Sequence, residues 1–387
     1  MNVPKLRFKE FTDEWKNIKL QKIISIYKEQ STIENQYPML TSSKQGLVLQ
    51  KDYYSNNARI TNRSNIGYNV LPYGYITYRN RSDTGFFTFN INLKLKKGLI
   101  SYFYPVFSLK NSNEYFLVNL LNTKYQFKMY AISEGTSQKV LSIANLKNLK
   151  VLYPSLEEQN KIANFLTTVD KKITNLENTI TSLENQKKGL LQQIFSQKLR
   201  FKDKNGNNYP NWEKKKLEDI SNITMGQSPD SDFVNTEKIG TPFLQGNAEF
   251  TNKYPIEKYW CTKPQKIANP TDILLSVRAP VGAINIANKK FCIGRGLSAI
   301  SFNCNKLFGK YNLKFNLFQL IKKSQGSTFS SINKKDISEV ILFIPCLEEQ
   351  TKIADFLSAF DRKLDNQKAQ LEHWKQIKKG LLQQMFV

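Results

Sequence analysis

The feature that most limits the fold is an internal repeat of the chain's frame without its contents. Leu156-Glu-Glu-Gln-Asn-Lys-Ile-Ala-Asn-Phe-Leu166 returns 191 positions on as Leu347-Glu-Glu-Gln-Thr-Lys-Ile-Ala-Asp-Phe-Leu357. The same offset carries Lys187-Lys-Gly-Leu-Leu-Gln-Gln-Ile-Phe195 onto Lys378-Lys-Gly-Leu-Leu-Gln-Gln-Met-Phe386. A second echo opens each half: Leu6-Arg-Phe8 with Trp15 and Leu20, then Leu199-Arg-Phe201 with Trp212 and Leu217. The middles, roughly 25–135 and 220–325, resemble each other only faintly. Such a chain is expected to fold as two copies of one framework, each holding its own insert. Two copies imply an approximate twofold relation and two equivalent docking places for one partner.

The repeated segments read as two long helices. Apolar residues recur at Ile162, Leu166, Val169, Ile173, Leu176, Ile180 and Leu183, then at Leu190 and Ile194. The spacing alternates four and three, a heptad seam interrupted at Lys187. The second copy runs Ile353, Leu357, Phe360, Leu364, Leu371, Trp374, Leu381 and Met385, interrupted at Gln367 and Lys378. Each helix of about 40 residues spans about 60 Å at 1.5 Å per residue. Ser155 with Glu158 forms a capping-box signature behind Pro154; Cys346 takes the serine's place in the second copy. Gly189 and Gly380 each cost about 1 kcal/mol against alanine, which a close helix–helix approach would explain. An antiparallel return of the second helix would bury both seams. The alternatives are that each seam packs on its own domain, or in a parallel homodimer.

The charge sits between those helices. The 387 residues suggest two domains or a little more at roughly 150 residues each, and 57 Lys+Arg against 32 Asp+Glu leave a net charge of +25. Residues 1–155 carry 22 basic and 9 acidic side chains, and residues 198–346 carry 23 and 12. Residues 156–197 are neutral with 5 of each, and residues 347–387 carry 7 and 6. Two basic bodies on neutral connectors point to two contacts with one polyanion; solubility charge is the plainer reading. No apolar run approaches the roughly 18 residues of a membrane span, and the start lacks a signal-peptide stretch, so a cytoplasmic protein is expected.

Scarce residues exclude further chemistry. His373 is the single histidine, so catalysis needing a histidine base together with a histidine ligand is out of reach. Cys261, Cys292, Cys304 and Cys346 lack metal-ligand or redox spacing and read as small buried apolar residues. There is no phosphate-binding Gly-rich loop of the G-x-x-x-x-G-K-[ST] type, and Gly294-Arg-Gly-Leu-Ser298 is only a fragment of a dinucleotide fingerprint. No metal site and no catalytic residue is expected. Within the mixed α/β bodies, Tyr75–Arg79 and Asp272–Arg278 read as strands that end in arginine. Candidate DNA-contacting residues are Tyr78, Arg79, Arg81, Ser276, Arg278 and Arg295, suited to phosphate or guanine. Gly135, Thr136, Ser137 and Gln138, with Gly326, Ser327 and Thr328 in the other half, could bring backbone N–H groups to phosphate. Lys44, Gln45 and Gln245 are weaker candidates, a glutamine being able to read adenine.

These motifs, the Leu-Arg-Phe…Trp openings and Met225-Gly-Gln-Ser-Pro229 resemble the specificity subunit of type I restriction–modification enzymes over the whole chain. The resemblance implies an α+β (mixed α/β) fold: two similar target recognition domains, 1–154 and 198–345, separated by antiparallel coiled-coil spacer helices, 155–197 and 346–387. Each domain would read one half of a bipartite DNA target, and the helices would set the gap. It further implies two modification (methyltransferase) subunits docked on the helices, and restriction (translocase/endonuclease) subunits beyond them. S-adenosylmethionine, ATP and Mg would then belong to those partners, with no cofactor in this chain. A stand-alone DNA-binding or architectural protein, and a nuclease with a cryptic site, are the other readings.

Overall fold

The computed structural model describes residues 3–43, 46–53, 64–251, 254–325 and 331–387. They fall into two compact units, Met1–Glu177 with Ala369–Val387, and Asn178–Lys368.

In the first unit, strands Lys16–Lys19 and Lys150–Tyr153 pair antiparallel, Ile18 opposite Val151. Beside them lies an antiparallel four-stranded sheet in the order Ile24–Tyr27, Val106–Leu109, Ile76–Tyr78, Phe89–Ile91. These short segments are rich in β-branched and aromatic side chains, which suit a pleated, half-buried surface. The helix Glu114–Lys124 is capped by Asn113, whose side chain accepts from Phe116 N at 2.9 Å. It buries Phe116, Leu117, Leu120 and Leu121 in the core. Met385 and Phe386 close that core, with the Phe116 and Phe386 rings 5.3 Å apart.

The second unit repeats the plan. Strands Glu213–Lys216 and Ile341–Ile344 pair antiparallel, and a four-stranded sheet runs Ser221–Met225, Leu297–Phe302, Ile273–Ser276, Ile284–Ile286. Strand for strand this is the order found in the first unit, although the inserts barely resemble each other in sequence. Asn305 caps the helix Lys306–Asn316 through Phe308 N at 3.1 Å. Here Phe195 takes the place of Phe386, 5.8 Å from the ring of Phe308. The second insert adds a five-stranded sheet, Val234–Asn235, Tyr259–Cys261, Thr241–Leu244, Phe291–Ile293, Ile267–Ala268. Cys261 and Cys292 are buried in it, and burial beside Cys261 pushes the Cys292 thiol up to about 12.

The two long helices are Leu156–Phe195 and Leu347–Gln384. At the start of the first, Ser155 Oγ accepts from Glu158 N at 3.3 Å. The reciprocal half of the expected capping box does not form, because the Glu158 carboxylate is drawn into the body. It accepts from Arg7 Nε at 2.7 Å, the terminal guanidinium nitrogen of Arg7 at 2.8 Å and Trp15 Nε1 at 3.2 Å. Glu349 makes the same set with Arg200, at 3.0 and 2.7 Å, and with Trp212 Nε1 at 3.0 Å. The next residue repeats as well. Gln159 accepts from Asn113 N and donates to Pro154 O, both at 3.0 Å; Gln350 does so with Asn305 N and Pro345 O at 3.1 and 2.8 Å. The Leu-Arg-Phe…Trp openings are therefore the other half of a latch built on Leu-Glu-Glu-Gln.

Gly189 and Gly380 correct a second expectation. A Cβ at either would meet nothing within 4 Å, so no close approach among the described residues requires them.

Candidate nucleic-acid interface

In the first unit the candidates gather past the end of the strand Ile76–Tyr78. Arg81 pairs with Val140 and Ser82 with Lys139, and Leu141 N donates to Asn80 O at 2.9 Å. That ladder brings the Gly135–Gln138 turn beside the arginines, and Gln138 Nε2 donates to Asp83 Oδ1 at 2.7 Å. Gly135 has φ +90°, and a Cβ there would meet Gln138 O at 2.3 Å, so the turn needs glycine. Arg79, Arg81, Thr136 and Ser137 are exposed. Arg79 and Arg81 line one concavity of about 480 Å³ with Ser42, Ser43 and Phe86. Arg81 rests on the ring of Phe103, its guanidinium carbon 4.8 Å from the centroid, a cation–π contact that orients it without removing it from water. The exposed aromatics of this edge, Phe103, Phe86 and Phe127, carried no periodic signal and were missed.

In the second unit Ser276 pairs with Leu297 and Val277 N donates to Gly296 O at 2.9 Å, so Arg278 and Arg295 follow on neighbouring strand ends. Both are exposed. Ser228 of the Met-Gly-Gln-Ser-Pro segment joins them: its Oγ accepts from Arg295 N and from Gln245 Nε2, each at 3.2 Å. The segment can approach because Gly226 lacks a Cβ, which would lie 2.2 Å from Gly294 O. The structure thus gathers Gln245, Arg295 and Arg278, with Ser228 as an unforeseen member. None of Arg79, Arg81, Arg278 and Arg295 takes part in an ion pair among the described residues.

Two candidates are corrected. Tyr78 is fully buried, stacked on Phe89 at 4.6 Å, and donates to Leu141 O at 3.0 Å; burial pushes its hydroxyl pKa up. Ser276 is buried too, donating to Pro280 O at 2.7 Å and accepting from Ala283 N at 2.8 Å. Both hold the turn that presents an arginine and cannot themselves touch DNA. Lys44, Gln45, Gly326, Ser327 and Thr328 lie outside the described residues.

The family model for the type I restriction modification DNA specificity domain matches residues 12–185 and again 209–373. The chain belongs to that family. This specificity subunit is 38% identical over 287 residues to a Methanocaldococcus jannaschii protein ascribed to the type I restriction enzyme MjaX as its specificity subunit, covering 70% of this chain and 67% of that one. The crystal structure of a type I restriction–modification S subunit from M. genitalium shares its fold, with TM-score 0.64 at 17% identity, covering 100% of this chain and 99% of that one. So does a chain solved in work on complex assembly and conformational transition of the type I R-M system, with TM-score 0.57 at 24% identity and 95% and 96% coverage. The protein is a DNA-recognition subunit of a type I restriction–modification system.

The apolar residues of the specificity subunit's helix seam are buried or half-buried. Ile162, Leu166, Val169, Leu176, Ile180, Leu183, Ile353, Leu357 and Leu364 are buried, and Ile173, Phe360, Leu371 and Trp374 are half-buried. Its outer ends serve the bodies: Ile162 and Leu166 lie in the core of the first unit, Ile353 and Leu357 in that of the second. Between them the helices pair antiparallel within each unit. In the first, Asp170 meets Lys378 at 2.6 Å and Glu177 meets Lys375 at 3.1 Å; in the second, Glu184 meets Lys368 at 2.6 Å and Lys187 meets Asp361. The lysines that interrupt the heptads are thus partnered. Tyr115 donates to Asp170, and Tyr311 to Asp361 at 2.5 Å, so each node ties a body helix to both long helices. Burial works to raise the pKa of Asp361, but hydrogen bonds from Lys187 and Tyr311 outweigh it and hold the carboxyl below its ordinary value. Among the described residues no group of three His, Cys, Asp or Glu could hold a metal ion, and no helix is long and apolar enough to cross a membrane.

Proposed function

We propose that each body, 1–154 and 198–345, reads one half of a bipartite DNA sequence, and that the spacer helices 155–197 and 346–387 set the gap between the halves. The observation that carries this reading is that in each unit the matching inner strand, Ile76–Tyr78 or Ile273–Ser276, runs out beside exposed arginines that make no ion pair among the described residues, Arg79 and Arg81 in one, Arg278 and Arg295 in the other. Phosphate contacts supply salt-dependent affinity and register, and base contacts from the dissimilar inserts supply sequence. Joint engagement of both bodies multiplies specificity as in a bivalent ligand.

The chain acts without catalysis of its own, in the cytoplasm, docking two modification subunits on the repeated helices and joining restriction subunits through them. S-adenosylmethionine, ATP and Mg belong to those partners. Gly189 and Gly380 support the docking: each costs about 1 kcal/mol in a helix, is required by no close approach among the described residues, and leaves room for an outside backbone. Modified-base sequencing of the host genome with and without this gene tests the reading. Loss of an adenine-methylated motif of two short blocks around a fixed gap is expected, and unchanged methylation in a host that expresses the partner subunits refutes it.

A further inference from the structure

The frame repeats at an offset of 191, but Arg81 and Arg278 stand 197 apart, so the repeat does not pair them. The backbone does. Arg81 lies opposite Val140 and Arg278 opposite Ser331, and those two partners are 191 apart. The flanking bonds agree: Leu141 N donates to Asn80 O at 2.9 Å and Ile332 N to Val277 O at 3.0 Å. One exposed arginine that makes no ion pair among the described residues therefore occupies one backbone position in both bodies. Its surroundings differ, with Arg79 and Phe103 beside Arg81, and Arg295 with the five-stranded sheet beside Arg278. Bodies with unlike inserts that read unlike half-sites still meet the same phosphate backbone, whatever the bases.

We propose that Arg81 and Arg278 are an equivalent pair of phosphate clamps that fix the register of each body on DNA, and that base reading falls to the unmatched neighbours, Arg79 in the first body and Arg295 with Gln245 in the second. This rests on the two-body reading above. The test uses the full chain and a pool of randomised DNA duplexes, from which each variant selects its own motif, with affinity then followed against salt. Arg81→Ala and Arg278→Ala should each flatten the slope of log affinity against log salt by about 1 and leave the selected motif unchanged. Arg81→Lys and Arg278→Lys should keep the wild-type slope, since a lysine point charge on a phosphate releases the same counterions. Loss of a motif position in either alanine variant, an unaltered slope, or a lysine variant that behaves like alanine would overturn the assignment. A wild-type chain that selects a single uninterrupted block overturns the two-body reading itself, whatever the arginine variants do.

Discussion

Glu158 and Glu349 are buried carboxylates whose partners precede them by more than 130 positions, so one residue at the first turn of a helix carries a long-range bond. Removing one leaves a guanidinium and an indole N–H facing a void. Glu349→Ala should therefore cost about 3–5 kcal/mol, as breaking one side of a buried ion pair does, visible as a lower thermal midpoint. Both residues were plain in the sequence, because Glu-Glu-Gln is written twice, yet their role was not. The capping-box pattern drew attention to a local bond, while the stronger guanidinium and indole donors sat across the body. Tyr78 shows the reverse error. A tyrosine beside an arginine at a strand end looks like a ligand group, and alternation alone does not reveal that its ring faces Phe89.

The long helices were legible almost to the residue, since a heptad seam is a local pattern with a fixed period. The lysines within it were legible only as interruptions, because their partners, Asp361 and Asp170, lie on the other helix. Asp361 is held below its ordinary pKa, so the stability it contributes is complete above the usual carboxylate range near 4 and is lost as pH falls through its lower native value. Acid titrations of melting temperature should show Asp361→Asn less stable than wild type at neutral pH, with the difference shrinking below about pH 4. Gly189→Ala and Gly380→Ala should each raise stability by about 1 kcal/mol, measured by denaturant unfolding, because the added methyl meets open space. The strand Glu213–Lys216 escaped the sequence reading: three lysines in four residues carry no apolar alternation, yet they pair as a strand with the apolar Ile341–Ile344. The sheet order escaped too, since it depends on pairings between segments up to about 80 residues apart that no local period encodes.

At the scale of the molecule, two units of like plan with unlike inserts make exchange experiments informative. Replacing residues 20–150 by the corresponding part of another specificity subunit should change one block of the methylated motif and leave the other and the gap untouched. Inserting a heptad into both long helices should lengthen the gap alone. Genome-wide methylation maps read both outcomes. The closure of the first core by Met385 and Phe386 adds a dimension of time. The second unit, Asn178–Lys368, is one continuous stretch, whereas the first holds residues from both extremities of the described chain. At roughly 5–20 residues per second, Phe386 leaves the ribosome on the order of 10–60 s after Phe116. The body translated first is therefore the last to be finished, and nascent chains should become protease-resistant in reverse order of their synthesis.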